Sequence, residues 1–121
     1  MGDNVGVSTN RRVTIADGAS LSDALDVLGW EVVSIEQPAN CEGTAFTMQG
    51  SLDGVNYVDI QTDSAEWSAV KSATAVQVIY LPQDKRLRGF SKIKVRTGTS
   101  SAPTTQTGAA ILKIGLVQVA G

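Results

Sequence analysis

Apolar residues recur at every second position in short bursts along this chain, and small polar or glycine-containing stretches separate the bursts. Such alternation puts successive side chains on opposite faces of a strand, one buried and one solvated. Arg12-Val13-Thr14-Ile15 is the first short strand expected, closed by the Asp17-Gly18 turn signal. Trp30 to Gln37, rich in Val and Ile, forms the next, and Pro38 ends it. Thr44 to Leu52 alternates most clearly: Phe46, Met48 and Leu52, with Gly50 among them, point one way, and Thr47, Gln49 and Ser51 the other. Asp53-Gly54 then turns the chain into a strand at Tyr57 to Gln61, the best hairpin signal present. Val76 to Leu81 is a dense β run stopped by Pro82, with Val76, Val78 and Tyr80 as its alternating set. Ile93, Val95 and Thr97 alternate with Lys92, Lys94 and Arg96, and Ala110 to Val119 makes a long apolar final strand. That last strand is expected to pair near the first.

Residues 20–27 carry two patterns. Leu21, Ala24, Leu25 and Leu28 fit helical spacing with Ser20 as a cap, while Leu21, Leu25 and Val27 fit a strand. The extended reading is preferred because its neighbours are strands. Residues 1–10 read as a polar, flexible N-terminal arm and residues 11–121 as one β domain. The fold expected is all-β, an antiparallel β-sandwich or jelly roll of about eight strands. Its core is expected to hold Val13, Ile15, Trp30, Val33, Ile35, Phe46, Met48, Ile60, Val78, Tyr80, Ile93, Val95, Leu112, Ile114 and Leu116.

Composition narrows the function. Ten Lys and Arg against twelve Asp and Glu give a net charge of −2, without the basic face that phosphate backbones require, so no nucleic-acid partner is expected. A local basic stretch does exist, Lys85-Arg86-Leu87-Arg88 followed by Lys92, Lys94 and Arg96, and its bland reading is a solvated loop and strand face. No apolar run reaches the roughly 18 residues of a membrane span. The start, Met1 to Val5, lacks the basic and apolar regions of a secretory signal, so a cytosolically made protein is expected.

The chemistry of catalysis is missing. Histidine is absent, so neither a Ser-His-Asp nor a Cys-His arrangement exists. Cys41 is the only cysteine, with no imidazole to activate it and no partner for a bridge within the chain. Asp53, Asp59, Asp63 and Glu66 are the available carboxylates for glycoside hydrolysis, but Asp53 is accounted for by its turn. No phosphate-binding glycine loop and no metal-ligand constellation is present. No enzymatic activity, cofactor, metal or small-molecule substrate is expected.

Two stretches carry a resemblance. Gly50-Ser51-Leu52-Asp53-Gly54-Val55-Asn56-Tyr57-Val58-Asp59-Ile60 resembles a hairpin that recurs in discoidin-like and carbohydrate-binding β-sandwiches. The order Ile15-Ala16-Asp17-Gly18-Ala19-Ser20-Leu21-Ser22, a strand ending Ile35-Glu36-Gln37-Pro38, that hairpin, then Phe90-Ser91-Lys92-Ile93-Lys94-Val95-Arg96-Thr97-Gly98-Thr99-Ser100 is more specific. It resembles capsid decoration, or cement, proteins of tailed bacteriophages over residues 12–119. The resemblance implies a jelly-roll-like domain, made in the host cytoplasm, that sits on the outer capsid surface and clamps neighbouring major capsid proteins. It also implies a homo-oligomer, a trimer in preference to a dimer. Acidity agrees with a place outside the shell and away from packaged DNA.

The residues expected to grip a partner are Val5 and Val7, as an added strand, Arg11, Arg12, Arg86 and Arg88, as guanidinium contacts to acidic patches, and the surroundings of Trp67. Two other readings stay open: a lectin-like module, which needs a solvent-facing aromatic cluster built on Tyr57 and Trp67, and a tail or neck adaptor of a phage particle.

Overall fold

The structure, a computed structural model, describes residues 8–119. Nine strands follow one another: β1 (Ser8–Ile15), β2 (Leu25–Asp26), β3 (Trp30–Gln37), β4 (Ala45–Ser51), β5 (Val58–Asp59), β6 (Ala69–Val70), β7 (Gln77–Tyr80), β8 (Lys92–Thr97) and β9 (Ala110–Gln118). A single 3₁₀ turn, Gln83–Lys85, follows β7. Residues 20–27 are extended: Leu21 bridges to Arg96, and β2 pairs Leu25 with Ile93. The expected arm boundary moves, because Ser8 to Asn10 already pair with Val117 to Gly115 in β1. Residues 1–7, with Val5 and Val7, lie outside the described residues.

The strands form two antiparallel sheets, β1-β9-β3-β7 and β2-β8-β4-β5, with the short β6 on the start of β4. Leaving β6 aside, the first strand pairs with the last, the second with the last but one, β3 with β7 and β4 with β5. A long antiparallel hairpin rolled over itself gives that order, which is the jelly-roll arrangement. The fold is thus the expected all-β sandwich.

The two inner faces meet in one core. β1 supplies Val13 and Ile15, β3 Val32 and Ile35, β4 Phe46 and Met48, β8 Ile93 and Val95, and β9 Leu112, Ile114 and Leu116. Each fully buried aliphatic or aromatic side chain contributes about 1.5–3 kcal/mol by leaving water. Leu25, Val27, Leu81, Leu87 and Trp67 close the ends.

Four expected core residues lie elsewhere. The β3–β9 register shifts between Val32 and Ser34, so Val33 is a bulge; Val32 and Ile35 both point inward, and Val33 is only half-buried. A bulged residue breaks the two-residue period, which is why strict alternation selected Val33 over Val32. Trp30, at the start of the same strand, packs against the core's rim and remains half-buried. On β7 the facing is opposite to that expected. Ile79 is half-buried and Leu81 fully buried, while Val78 and Tyr80 are 62% and 66% exposed. Leu52 also departs from its set: β4 ends at Ser51, and Leu52 turns out to solvent with the Asp53 loop.

β4 is buried on both faces. Its outer face holds Thr47 and Ser51, and Arg96 of β8 lies beside Thr47, covered by the chain around Glu66 and Ser100. Part of the basic row read as a solvated face is therefore interior.

Candidate functional site

Three places stand out, and the first two are charged side chains held inside the fold. Arg96, 6% exposed, pairs with Asp59 and, at 3.2 Å, with Glu66, and reaches Thr47 Oγ1 at 3.4 Å. The Glu66 carboxylate also accepts the Ser100 amide at 3.2 Å. An arginine fork satisfied by two carboxylates is a way to keep a charge inside a fold. Both carboxylates contact the Arg96 guanidinium, and Asp59 also lines the cleft beside Phe90.

Second, Lys71 is 3% exposed and its ammonium donates to the carbonyl oxygens of Gly43 (2.6 Å), Ser72 (3.0 Å) and Cys41 (3.2 Å). Desolvation lowers its pKa. Cys41 next to it is wholly buried, and desolvation raises its thiol pKa. Among the described residues no group of three or more His, Cys, Asp or Glu is placed to hold a metal ion.

The third place is the surface. Beyond the hairpin, Leu52, Val55 and Val58 are exposed, and Leu52 and Val58 line an apolar cleft of about 430 Å³ floored by Gly50 and Phe90. The Phe90 ring occupies the space above Gly50, where a Cβ would stand 2.4 Å from its Cε1. Asp53 shapes the loop: its Oδ1 accepts the amides of Val55 and Asn56 at 2.8 Å, and Asn56 Nδ2 donates to Oδ2 at 2.7 Å. Those bonds hold the Asp53 carboxyl well below the usual carboxylate range.

The larger apolar feature is the β7 margin of the four-stranded sheet. Among the described residues β7 pairs only with β3, and its other side is an edge of the sheet. Leu81 N donates to Val33 O at 2.9 Å, directly across in the register. Alternation then turns the backbone groups of Ile79 and Gln77 toward β3, and those of Val78 and Tyr80 outward. Val76, Val78 and Tyr80 are 72%, 62% and 66% exposed along this margin. Arg86 stands over the Tyr80 ring at 5.0 Å, and its Nε donates to Leu81 O at 3.2 Å.

The residues expected to grip a partner are dispersed. Arg12 is exposed on β1, opposite Lys113. Arg11 points inward, with its guanidinium 5.2 Å from the Trp30 ring and NH1 donating to Asp26 O at 2.7 Å. Arg88 is exposed and lines a groove beside the same Trp30. Arg86 lies by the opposite edge of the sheet from Arg12. Trp67 is 2% exposed, with its indole N–H on Lys85 O at 2.9 Å, and belongs to the core; it offers no surface. Val78 and Tyr80, expected in the core, are surface residues, because a run that is apolar at nearly every position is compatible with either facing.

No protein-family model matches the chain, and no curated protein matches it. Among solved structures, a chain from the Bacillus endospore appendages, described as a novel family of disulfide-linked pili, is similar at 15% identity and a TM-score of 0.38, over 93% of this chain and 90% of that one.

Proposed function

We propose that the protein is a non-enzymatic assembly module, and in particular a decoration protein on the outer surface of a tailed-phage capsid, where it bridges neighbouring major capsid proteins. The observation that carries this reading is the bare apolar margin at Val76, Val78 and Tyr80. An apolar edge strand is a template for pairing, and proteins that stay alone protect such edges. The sequence resemblance supplies the kind of assembly. Exposed Arg12 and Arg88 remain available for acidic patches on a shell.

The lectin-like alternative rests on the cleft beside Phe90. It lacks the aromatic platform it needs, since Trp67 is buried and Tyr57 lies half-buried under the Lys94 ammonium at 4.4 Å.

Cryo-EM and mass spectrometry of heads and tails, separated from particles of the virus that encodes the chain, test the proposal. The expected result is density for a jelly roll on the outside of the head. Presence only in tails would move the protein to an adaptor role, and absence from the particle would remove the reading.

A further inference from the structure

We infer that the free edge of β7 pairs with β7 of a second copy about a two-fold axis at Ile79, joining two four-stranded sheets into one continuous sheet. The inference rests on the same margin as the assembly reading but does not need the capsid as its setting, because it concerns the free protein.

The register argues for a second copy as the occupant. The outward N–H and C=O groups belong to Val78 and Tyr80, two residues apart. In an antiparallel pair centred on Ile79, Val78 of one copy lies opposite Tyr80 of the other, and each such pair exchanges both of its backbone bonds. Every outward N–H at these two positions then donates to a carbonyl oxygen of the other copy, and every outward C=O accepts from one of its amides. On the exposed face the same pairing sets Val78 against the partner copy's tyrosine, a β-branched–aromatic pair of the type that stabilises sheets.

Charge agrees. Val76, Gln77, Val78, Ile79 and Tyr80 bring no charge to the seam. Glu36, half-exposed and opposite Val78 on β3, is held only loosely by Lys113 at 3.8 Å. Arg86 is bonded to the Tyr80 hydroxyl and stacked on its ring. Two-fold pairing carries that guanidinium toward the other copy's Glu36, so opposite charges flank the seam.

The other edges do not fit a second copy. A two-fold seam at the centre of β1 would set Arg11 or Arg12 against the same residue of the other copy, and like charges oppose strand pairing. β2 and β5 are two residues long, too short to hold a partner.

The test uses the full chain in sedimentation velocity and multi-angle light scattering, over a wide concentration range. The parent is expected to be a dimer. Val78→Pro removes an N–H that points away from β3, so it spares the β3 ladder while blocking strand addition. Its circular dichroism and melting are expected to match the parent, with the mass halved. Should Val78→Pro unfold the chain, Val78→Lys replaces it, with a dissociation constant raised at least tenfold. As an independent check, Val78→Cys with Tyr80→Cys is expected to form a covalent dimer on oxidation, with Cys41 still reduced. A parent that is monomeric or trimeric, a dimer unaffected by either folded Val78 variant, or no disulfide-linked dimer overturns the inference.

Discussion

The ammonium of Lys71 lies 2.6 Å from the carbonyl oxygen of Gly43, inside the molecule, with the Cys41 and Ser72 carbonyls completing its three acceptors. One side chain thereby ties the turn after β3 to the segment after β6. A methionine in its place fills similar space but leaves these carbonyls without a donor. Lys71→Met is expected to lower stability by about 2 kcal/mol, read as a shift of the urea midpoint at unchanged slope.

Gly98 and Gly108 both have positive φ, +86° and +90°, but differ in their surroundings. A Cβ on Gly98 would stand 2.5 Å from the Ala102 carbonyl oxygen and 2.6 Å from the Thr104 amide nitrogen, both backbone; at Gly108 nothing lies within 4 Å. Gly108→Ala is expected to cost about 1 kcal/mol from conformation alone. Gly98→Ala adds the clash and is expected to cost about 3 kcal/mol or more. Thermal melts of the two variants check the difference.

Arg96 holds Asp59 and Glu66 in a partly buried network. Arg96→Met leaves both carboxylates without their cation, and Glu66 is the more buried of the two. The expected loss is about 3 kcal/mol, reduced by the solvent that reaches Asp59. Replacing Glu66 by Gln in the same variant is expected to recover part of it. A double-mutant cycle by chemical denaturation measures this coupling.

Asp53 gives the hairpin an acid limit. Its folded pKa is depressed by the Asn56 and Val55 amides, with the Asn56 and Ser51 side chains adding to the effect. The unfolded carboxyl binds protons first as pH falls, so the stability from this group is fully present above the ordinary value near 3.8 and is lost progressively below it. Asp53→Asn is expected to lower the melting temperature at neutral pH and to flatten its fall on acidification. Melts between neutral and strongly acid pH check both; equal slopes for parent and variant would refute it.

Local patterning along the chain is enough to locate most of the strands. Period-two alternation is local, and it marked β1, β3, β4, β8 and β9, the Asp53 turn and most inward residues, among them Phe46, Met48, Ile93, Val95 and Leu112. The pairing of first and last strands is what closed β architectures commonly make, and it holds here. Which way β7 faces was decided only in the tertiary structure. From Val76 to Leu81 every position but Gln77 is apolar, so both parities are consistent with the sequence, and the pairing Ile35–Ile79 chose one. The bulge at Val33 likewise arises from the β3–β9 register and leaves no local mark. Burial of Arg96 and Lys71 depends on Glu66 and on Cys41 and Gly43, each some thirty positions away along the chain. Such contacts have no period to read, because the fold alone brings them within reach. The apolar margin at Val78 and Tyr80 became visible as a surface for the same reason: alternation says that two faces differ, and only the neighbouring strand says which one meets water.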